Sequence, residues 1–356
     1  MQNLNLTTHC YNLLDLTESE KAQVYQAAGE ILHKGGTVVF PTETVYGLGA
    51  DAMNPEAVSA IYKAKGRPSD NPLIIHVADF DISKIVREIP SSAVRLMETY
   101  WPGPLTIIMK KNPGVPDATT GSLDTVGVRM PDQPAALEMI KAGGGFIAAP
   151  SANISGRPSP TTFQRCVEDL YGRVDMILGM DQSKVGLEST IIDVSGETPE
   201  LLRPGAITLE MLQETLGTVI YEPGNSLSDD VAPRAPGMKY RHYAPRAKVI
   251  IFKGEVGKVR QAMRSRQTDR TLLIFTQEQP SPEETQQTAQ LKMAEEHSIT
   301  FDSVSQAAHE IFETMRCADD QNYTEILIQA VPETGLGLSL MNRVKKAAGY
   351  DIVEVD

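Results

Sequence analysis

One segment divides this chain and limits what it can fold into. Residues 222–245 read EPGNSLSDDVAPRAPGMKYRHYAP, with four prolines, two glycines and few apolar side chains. Proline and glycine at this density interrupt helices and strands, so the segment is typical of a linker. A chain of 356 residues is long enough for about two domains, each with its own core. We therefore expect a first domain over residues 1–215, a linker over 216–246 and a second domain over 247–356.

Short apolar runs predict the strands of the first domain. Examples are PLIIHV at 72–77, LTIIMKK at 105–111, TVGVRMP at 125–131 and FIAAPSAN at 146–153. Asn54-Pro55-Glu56 predicts a helix start, with an N-cap, a proline at the first position and an early acid. SSAVRLMETYW at 91–101 predicts a second, capped helix. Strands and helices alternate irregularly, so we expect an α/β domain with a mixed sheet.

The second domain has a more regular pattern. The strand-like runs KVIIFKG, TLLIFT and EILIQAVP alternate with helical stretches, among them SVSQAAHEIFETMR and a helix near 338–348. A β-α-β-α order predicts a smaller, Rossmann-like α/β domain with a parallel sheet and right-handed crossovers. Residues 277–290 are polar enough to form an exposed loop or a surface helix.

Composition excludes several classes of protein. The formal net charge is −13 and the pI is about 5.0, which disfavours a bulk electrostatic grip on nucleic acid. We see no secretory signal and no apolar run long enough for a membrane helix, so we expect no membrane partner. Cys10, Cys166 and Cys317 are far apart, which argues against a disulfide framework or a zinc ribbon. A reducing, cytoplasmic location fits this spacing.

Positive charge concentrates in YKAKGRPSDN, residues 62–71. Lys63, Lys65 and Arg67 fall within five positions, at the end of a predicted helix. A solvated helix end that complements the helix dipole is the simpler explanation for such a triplet. Gly66 and Pro68 bracket Arg67, however, and fix a turn that could direct its guanidinium at a phosphate.

Two hydroxyl-rich loops follow predicted strands. PTETVYGLG covers residues 41–49 and PSANISGRPSPTT covers 150–162. Small polar side chains at the ends of strands suit a ligand site in an α/β sheet, although each loop alone is about equally well explained as a turn or a helix cap. No HxxxH pair, GxSxG elbow or Walker A sequence occurs, so zinc, α/β-hydrolase and P-loop chemistry are not supported. GLGLSL at 335–340 fails the GxGxxG pattern.

Taken together, these motifs resemble the YrdC-like threonylcarbamoyl-AMP synthases. Lys65-Gly-Arg67 and Ser151-Ala-Asn153 are similar to that family's KxR…SxN signature. PTETVYGLG, NPLIIHV, VGVRMP, GLESTIID and LLRPG look like its recurring blocks, in its order. HYAP and GLGLSLMNRVKKAA resemble the long, two-domain form.

The resemblance implies a reaction. L-Threonine, bicarbonate and ATP would give L-threonylcarbamoyladenylate, pyrophosphate and water, with Mg²⁺ accompanying the triphosphate. Other proteins would transfer the threonylcarbamoyl group to adenosine 37 of ANN-decoding tRNAs, and any tRNA contact of this chain would be weak and local. The implied fold is a twisted, mixed α/β sheet with a large, positively charged concave cavity.

The resemblance also implies roles for individual residues. The threonine contacts would be Thr44, His76, Arg129, Ser151 and Ser189. The nucleotide contacts would be Arg67, Asn71, Thr125, Asn153, Thr161, Arg203 and Tyr243. Lys65, Arg67, Ser151 and Asn153 would form the catalytic set, with Lys65 facing phosphate or bicarbonate, and no residue would bind a metal directly. Lys63 lies outside the signature and is expected in solvent. A lone histidine such as His76 is otherwise more often a structural group.

Elementary chemistry agrees with these roles. Threonine carboxylate, bicarbonate and triphosphate repel each other at short range, and Lys65, Arg67, Arg129 and Arg203 would offset that repulsion. The linker would fold over the nucleotide as a lid that excludes water. Two other functions remain open: a module that binds double-stranded RNA or tRNA without turnover, and a carbamoyl transferase. Relatives of the transferase type carry acylphosphatase-like and zinc-finger segments that are missing from this sequence.

Overall fold

The computed structural model describes residues 6–222, 233–236, 242–277 and 297–356. Contacts between Cα atoms divide the chain into two compact units. The first comprises Met1–Ser155 and Ser159–Tyr240, and the second comprises Gly156–Pro158 and Arg241–Asp356. The division between Tyr240 and Arg241 falls inside the predicted linker. The linker itself stays a prediction because most of residues 223–241 lies outside the described ranges, as does nearly all of the polar segment 277–290.

The first unit contains a mixed sheet of ten strands among its described residues. Their order is β1-β8-β2-β3-β7-β4-β6-β5-β9-β10, with parallel and antiparallel neighbours interspersed, which confirms the predicted mixed α/β class. The strands are β1 His9–Asn12, β2 Val38–Phe40, β3 Gly47–Asp51, β4 Ile74–His76, β5 Leu105–Lys110, β6 Thr125–Arg129, β7 Ile147–Ala149, β8 Met176–Gly179, β9 Thr190–Asp193 and β10 Glu200–Arg203.

The helices of this unit begin where the sequence supplies a cap. Asn54 accepts hydrogen bonds from the amides of Glu56 and Ala57, as predicted, and Gly66 ends that helix in the left-handed conformation. The predicted capping of the helix at Ser91 is wrong, since Pro90 stands at its N-cap and provides no side-chain hydrogen bond. The helices are α1 Glu18–His33, α2 Pro55–Lys65, α3 Ser91–Tyr100, α4 Asp117–Thr120, α5 Pro134–Ala142, α6 Phe163–Leu170 and α7 Leu209–Leu216.

The two faces of the ten-stranded sheet have different neighbours. Ile75 and Ile107 point into the main hydrophobic core, together with α2 and α3. Their sequence neighbours Ile74 and Ile108 point to the opposite side, because successive strand residues alternate between faces. We call this second side the Ile74 face. The described segment 233–236 packs on it through the buried side chain of Ala235.

An irregularity in β10 sends one residue to the Ile74 face. Leu201 lies opposite Ile192 and points into the main core. The register then shifts, so that Arg203 lies opposite Ile191, whose side chain belongs to the Ile74 face. A β-bulge of this kind redirects a side chain without breaking the strand pairing. Arg203 thereby joins the face that carries the polar residues described below.

The second unit has the predicted parallel sheet. Its five described strands run in the order β13-β12-β14-β11-β15 and all are parallel. They are β11 Lys248–Gly254, β12 Thr271–Thr276, β13 Ser298–Phe301, β14 Glu325–Gln329 and β15 Ile352–Val355. The helices are α8 Val256–Arg266, α9 Val304–Asp320 and α10 Gly335–Ala348, the last beginning three residues before the predicted start. Val259 and Met263 of α8 pack on Ile250 and Phe252 of β11.

Candidate functional site

Lys65 connects the two halves of the predicted signature. Its side chain is buried at the end of α2, and Nζ donates to the backbone carbonyl oxygens of Ser151 and Asn153, each at 2.5 Å. A third contact, at 3.3 Å, reaches Oδ1 of Asn153, which also accepts from the Ser151 hydroxyl at 2.5 Å. The ammonium group therefore holds the loop that carries the Ser and Asn of the signature. Lys63 is exposed, as predicted.

Arg67 lies in the turn that follows Lys65. Its Nη2 donates to the carbonyl oxygen of Pro72 at 3.2 Å and approaches that of Asn71 at 3.4 Å. Asn71 is buried, and its Oδ1 has no hydrogen-bond partner among the described residues. Two predicted nucleotide contacts are thus neighbours in one turn, with a buried amide oxygen available for a ligand.

Strand alternation brings three further predicted residues to the Ile74 face. Thr125 and Arg129 occupy positions of the same parity on β6, and Arg129 pairs in register with His76 on β4. Gly127 stands between Thr125 and Arg129 and offers no side chain. A Cβ at Gly127 would lie 3.2 Å from Cγ2 of Thr106 and 3.6 Å from Cγ1 of Ile74, so glycine leaves room for the side chains around it.

Arg129 forms a buried ion pair that the sequence did not predict. Its Nη2 lies 2.6 Å from Oε2 of Glu43, and both side chains are only 5% exposed. The Nε of Arg129 donates to the carbonyl oxygen of Gly103 at 3.2 Å. Glu43 stands in the PTET loop, and the only signal that could have identified it is an acid between two threonines directly after a buried strand. Such a signal does not identify its distant partner.

His76 is held in its neutral form. The imidazole is 4% exposed, and Phe40 packs edge-on against it with ring centroids 5.8 Å apart. Burial, reinforced by the positive charge of Arg129, lowers the pKa of His76 to about 3. Its Nδ1 lies 3.2 Å from the carbonyl oxygen of Ile74. At neutral pH the ring can therefore donate or accept hydrogen bonds, but it carries no charge.

Arg203 is fixed against Ser189. Its Nε donates to the Ser189 carbonyl oxygen at 3.0 Å and its Nη2 to the Ser189 hydroxyl at 3.1 Å. The same hydroxyl lies 2.8 Å from the hydroxyl of Thr106 on β5. A predicted threonine contact and a predicted nucleotide contact therefore share a hydrogen-bond network. Nη1 of Arg203 also donates to the carbonyl oxygen of Pro236 at 3.3 Å.

The PTET loop presents a second hydroxyl pair. Thr44 is fully buried, and its hydroxyl lies 2.9 Å from that of Thr42. The carbonyl oxygens of Glu43 and Thr44 accept hydrogen bonds from the amides of Val185 and Gly186, at 2.8 and 3.1 Å. The loop that contains Glu43 and Thr44 is thus fastened along its main chain.

Thr161 is buried in a different way. It is 1% exposed, and its hydroxyl has no hydrogen-bond partner among the described residues. Its carbonyl oxygen accepts from the amide of Ser183, and the Ser183 hydroxyl is likewise buried without a partner. A buried hydroxyl without a partner is costly and usually marks the place of a bound water or ligand. Ser183 is therefore a candidate that the sequence alone did not suggest.

A narrow cavity of about 10 Å³ lies on the Ile74 face. The residues that line it include Thr106, Thr125, Gly127, Arg234 and Pro236. Arg234 is held there by Asp193, at 2.5 Å, and by Glu200, at 2.7 Å. Residues 233–236, one of the described parts of the predicted lid, thus form one wall of this cavity. Lys239 and Arg241, also expected in the lid, lie outside the described residues.

Tyr243 is the one predicted site residue that belongs to the second unit. Its backbone has a positive φ of 64°, and its ring stacks on Phe312 of α9 with centroids 5.2 Å apart. None of the site contacts described above involves Tyr243. Its proposed role at the nucleotide rests on the sequence resemblance.

The described residues contain no group of three or more His, Cys, Asp or Glu side chains that could hold a metal ion. The cations and hydroxyls of the site suit anionic ligands instead. Among the described helices, none is both long and apolar enough to cross a membrane. Fold and site together describe an α/β protein in which buried cationic and hydroxyl side chains gather in one domain.

Comparison with known proteins gives the family. A family model described as "Telomere recombination" matches residues 30–205, and one described as "Threonylcarbamoyl-AMP synthase, C-terminal domain" matches residues 207–349. Threonylcarbamoyl-AMP synthase of Pyrococcus abyssi is 42% identical over 341 residues, covering 94% of this chain and 97% of that protein. The Bacillus subtilis protein of the same name is 38% identical, covering 96% of this chain and 97% of its own length.

A solved structure agrees over both units. The crystal structure of P. abyssi Sua5 complexed with L-threonine matches with a TM-score of 0.85 and 38% identity, covering 99% of both chains. The chain belongs to the threonylcarbamoyl-AMP synthase family, in its two-domain form.

Proposed function

We propose that this protein condenses L-threonine, bicarbonate and ATP into L-threonylcarbamoyladenylate, with release of pyrophosphate and water. The observation that carries this proposal is the near-full-length likeness to P. abyssi Sua5, which was solved with L-threonine bound. The buried Arg129, Arg203 and Lys65 support it, since the reactants are anions that must be brought together.

The chemistry needs no covalent intermediate with the protein. The threonine amine and bicarbonate combine, lose water and give an N-carboxylate. An oxygen of this group attacks the α-phosphorus of ATP, and the bond to the leaving pyrophosphate breaks. The protein's contribution is to position the reactants and stabilise the developing charge.

The residues divide this work. Arg129 and Thr44 bind threonine, with neutral His76 beside them as a hydrogen-bonding group. Arg67 and Asn71 bind the phosphates and the nucleotide from one turn, and Arg203 reaches them from the bulged edge strand. Ser151 and Asn153 orient the reacting groups from the loop that Lys65 holds. Segment 233–236 excludes water above the Ile74 face.

Mg²⁺ is proposed to arrive with ATP. Magnesium keeps several waters and binds through substrate phosphates at many nucleotide sites, so it requires no cluster of protein carboxylates. When bound, it would supply charge neutralisation on the triphosphate, in addition to that of the guanidinium groups named above.

The product is proposed to pass to other proteins, which transfer the threonylcarbamoyl group to adenosine 37 of ANN-decoding tRNAs. Direct tRNA contact by this chain is expected to be weak, because its net charge of −13 opposes a polyanion. A cytoplasmic location is part of the proposal and rests on the distant spacing of the three cysteines.

One assay tests the proposed reaction. Pyrophosphate is expected only when L-threonine, bicarbonate and ATP are all present. Arg67→Ala is expected to abolish pyrophosphate release, with far-UV circular dichroism unchanged, whereas Lys63→Ala, which removes an exposed cation from helix α2 four residues earlier, retains activity. Salt-sensitive RNA binding without pyrophosphate release would favour the RNA-binding alternative, and turnover of carbamoyl phosphate would favour the carbamoyl transferase.

A further inference from the structure

We propose that Glu43 is a further substrate-contacting residue, whose carboxylate receives the α-ammonium group of L-threonine while Arg129 receives the carboxylate. This inference rests on the proposed function and adds a residue to its threonine site. Glu43 was not among the residues that the sequence resemblance assigned to the reaction.

The first argument is the state of the Glu43 carboxylate. It is 5% exposed, and Oε2 lies 2.6 Å from Nη2 of Arg129. By hydrogen-bond geometry neither carboxylate oxygen has a partner among the described residues, and Nη2 of Arg129, although close to Oε2, has none either. Burial of an ionised carboxylate is costly unless both oxygens are satisfied. A cationic group of a ligand is the partner that would complete the site.

The second argument is charge balance. Glu43 and Arg129 form a pair with no net charge, and an amino-acid zwitterion also has none. An amino acid bound across the pair places its ammonium beside the carboxylate and its carboxylate beside the guanidinium. The buried site then stays neutral, which avoids the desolvation penalty of an uncompensated charge.

The third argument is the surroundings of Glu43. Thr44 follows it directly, and its ion-pair partner Arg129 stands beside His76 in the sheet, so two proposed threonine contacts adjoin Glu43 and a third adjoins its partner. The main-chain hydrogen bonds to Val185 and Gly186 fix the loop. His76 carries no charge in its buried position, so it does not repel the ammonium group that Glu43 would receive.

A purely structural role for Glu43 is the main alternative. In that case the carboxylate only holds Arg129 in place, and its loss weakens binding of any ligand that carries a carboxylate. The direct role instead concerns the ammonium alone. A ligand that keeps the carboxylate and the hydroxyl but lacks the amine therefore distinguishes the two.

Calorimetric titration of the full-length protein provides the test. Wild type, Glu43→Gln and a control, Asp175→Asn, are each titrated with L-threonine and with (R)-3-hydroxybutanoate. We expect Glu43→Gln to weaken L-threonine binding by about 10- to 100-fold, the range of a hydrogen bond between charged groups, and to leave the deaminated ligand's affinity unchanged or higher, because that anion has no ammonium to pair with Glu43. Asp175, whose carboxylate accepts from Thr37, lies outside the proposed site, so its variant should bind both ligands as wild type does.

Each other outcome is decisive. Equal losses for both ligands in Glu43→Gln, or no loss for either, overturns the direct role. Failure of wild type to bind L-threonine overturns the proposed function instead. If the glutamine variant does not fold, Glu43→Asp is titrated in its place, since it keeps the charge at a shorter reach. Its preference for L-threonine over the deaminated ligand must then fall below that of wild type, and an unchanged preference overturns the inference.

Discussion

The ammonium group of Lys65 donates a hydrogen bond to the backbone carbonyl oxygen of Asn153 at 2.5 Å. Helix α2 and the loop after β7 are therefore joined by one buried charge. The sequence predicted Lys65 and Asn153 in the same site, with the lysine facing phosphate or bicarbonate. The structure adds a role in holding the loop, which has its own measurable consequence.

Replacement of Lys65 by methionine is expected to destabilise the first unit. The buried carbonyl oxygens of Ser151 and Asn153 lose their donor, which costs about 1–3 kcal/mol of the free energy of unfolding. Urea unfolding followed by the fluorescence of Trp101, the single tryptophan, reports on this unit. The control Lys63→Met alters an exposed lysine two residues away and should stay within about 0.5 kcal/mol of wild type. Equal stability of the two variants would contradict the tethering role.

Thr161→Val is expected to weaken ATP binding without lowering the free energy of unfolding. The Thr161 hydroxyl is buried without a partner, so its removal should leave stability unchanged or raise it. Affinity for ATP, measured by calorimetry, should fall by about 3- to 10-fold if the hydroxyl contacts the nucleotide.

A matched control for Thr161 exists in the same unit. The buried Thr119 hydroxyl donates to the carbonyl oxygen of Ala52 at 2.7 Å. Thr119→Val should therefore lower stability by about 1 kcal/mol or more and leave ATP affinity unchanged. If Thr161→Val behaves like this control, Thr161 is a structural residue.

Arg234→Ala is expected to loosen segment 233–236. The guanidinium pairs with Asp193 and Glu200. Because it is partly exposed, its contribution to holding the segment in place should be modest. We expect KM for ATP to rise by about 2- to 5-fold, since the segment forms a wall of the cavity on the Ile74 face. Steady-state pyrophosphate release measures the effect, with the exposed Arg95→Ala as the control. An unchanged KM in Arg234→Ala would remove this segment from the nucleotide site.

His76 makes stability depend on pH. Burial and Arg129 hold its pKa near 3, whereas the unfolded chain takes up that proton near pH 6.5. Between these values the unfolded state binds more protons, so acidification lowers the free energy of unfolding, by at most about 1.4 kcal/mol per pH unit. His76→Gln should lose this part of the slope between pH 6.5 and 4.5 in Trp101-monitored unfolding. The exposed His33→Gln should keep it, and identical slopes in wild type and His76→Gln would refute the assignment.

Local features of the fold followed from local sequence. Apolar runs identified strands such as β4 and β6, and Asn54-Pro55 identified the start of α2, because these signals act over a few residues. The order of the ten strands could not be predicted from the sequence, since it depends on which distant apolar runs pair with each other. The register shift in β10 was also invisible, because ELLRPG contains nothing that specifies a bulge.

The residue types of the candidate site were predicted better than the hydrogen bonds and ion pairs that join them. Cations and hydroxyls in the right loops indicated an anion site, and the structure brings Lys65 to Ser151 and Asn153, and Ser189 to Arg203. The pairing of Glu43 with Arg129 could not be predicted, because it joins residues that are distant in sequence and near only after β6 takes its place in the sheet. Acids in polar loops are usually solvated, so Glu43 carried no signal of burial.

Because of the shifted register in β10, the number of residues in this edge strand decides which face of the sheet Arg203 reaches. Leu201 and Arg203 reach opposite sides of the sheet only because one extra residue is accommodated between them. If the pairing continued without this irregularity, Leu202 would stand opposite Ile191, the guanidinium would turn toward the oily interior and Ser189 would lose its donor, although no functional side chain had been altered. A residue inserted between Leu201 and Arg203 should therefore be tolerated far less than its place on an outermost strand suggests.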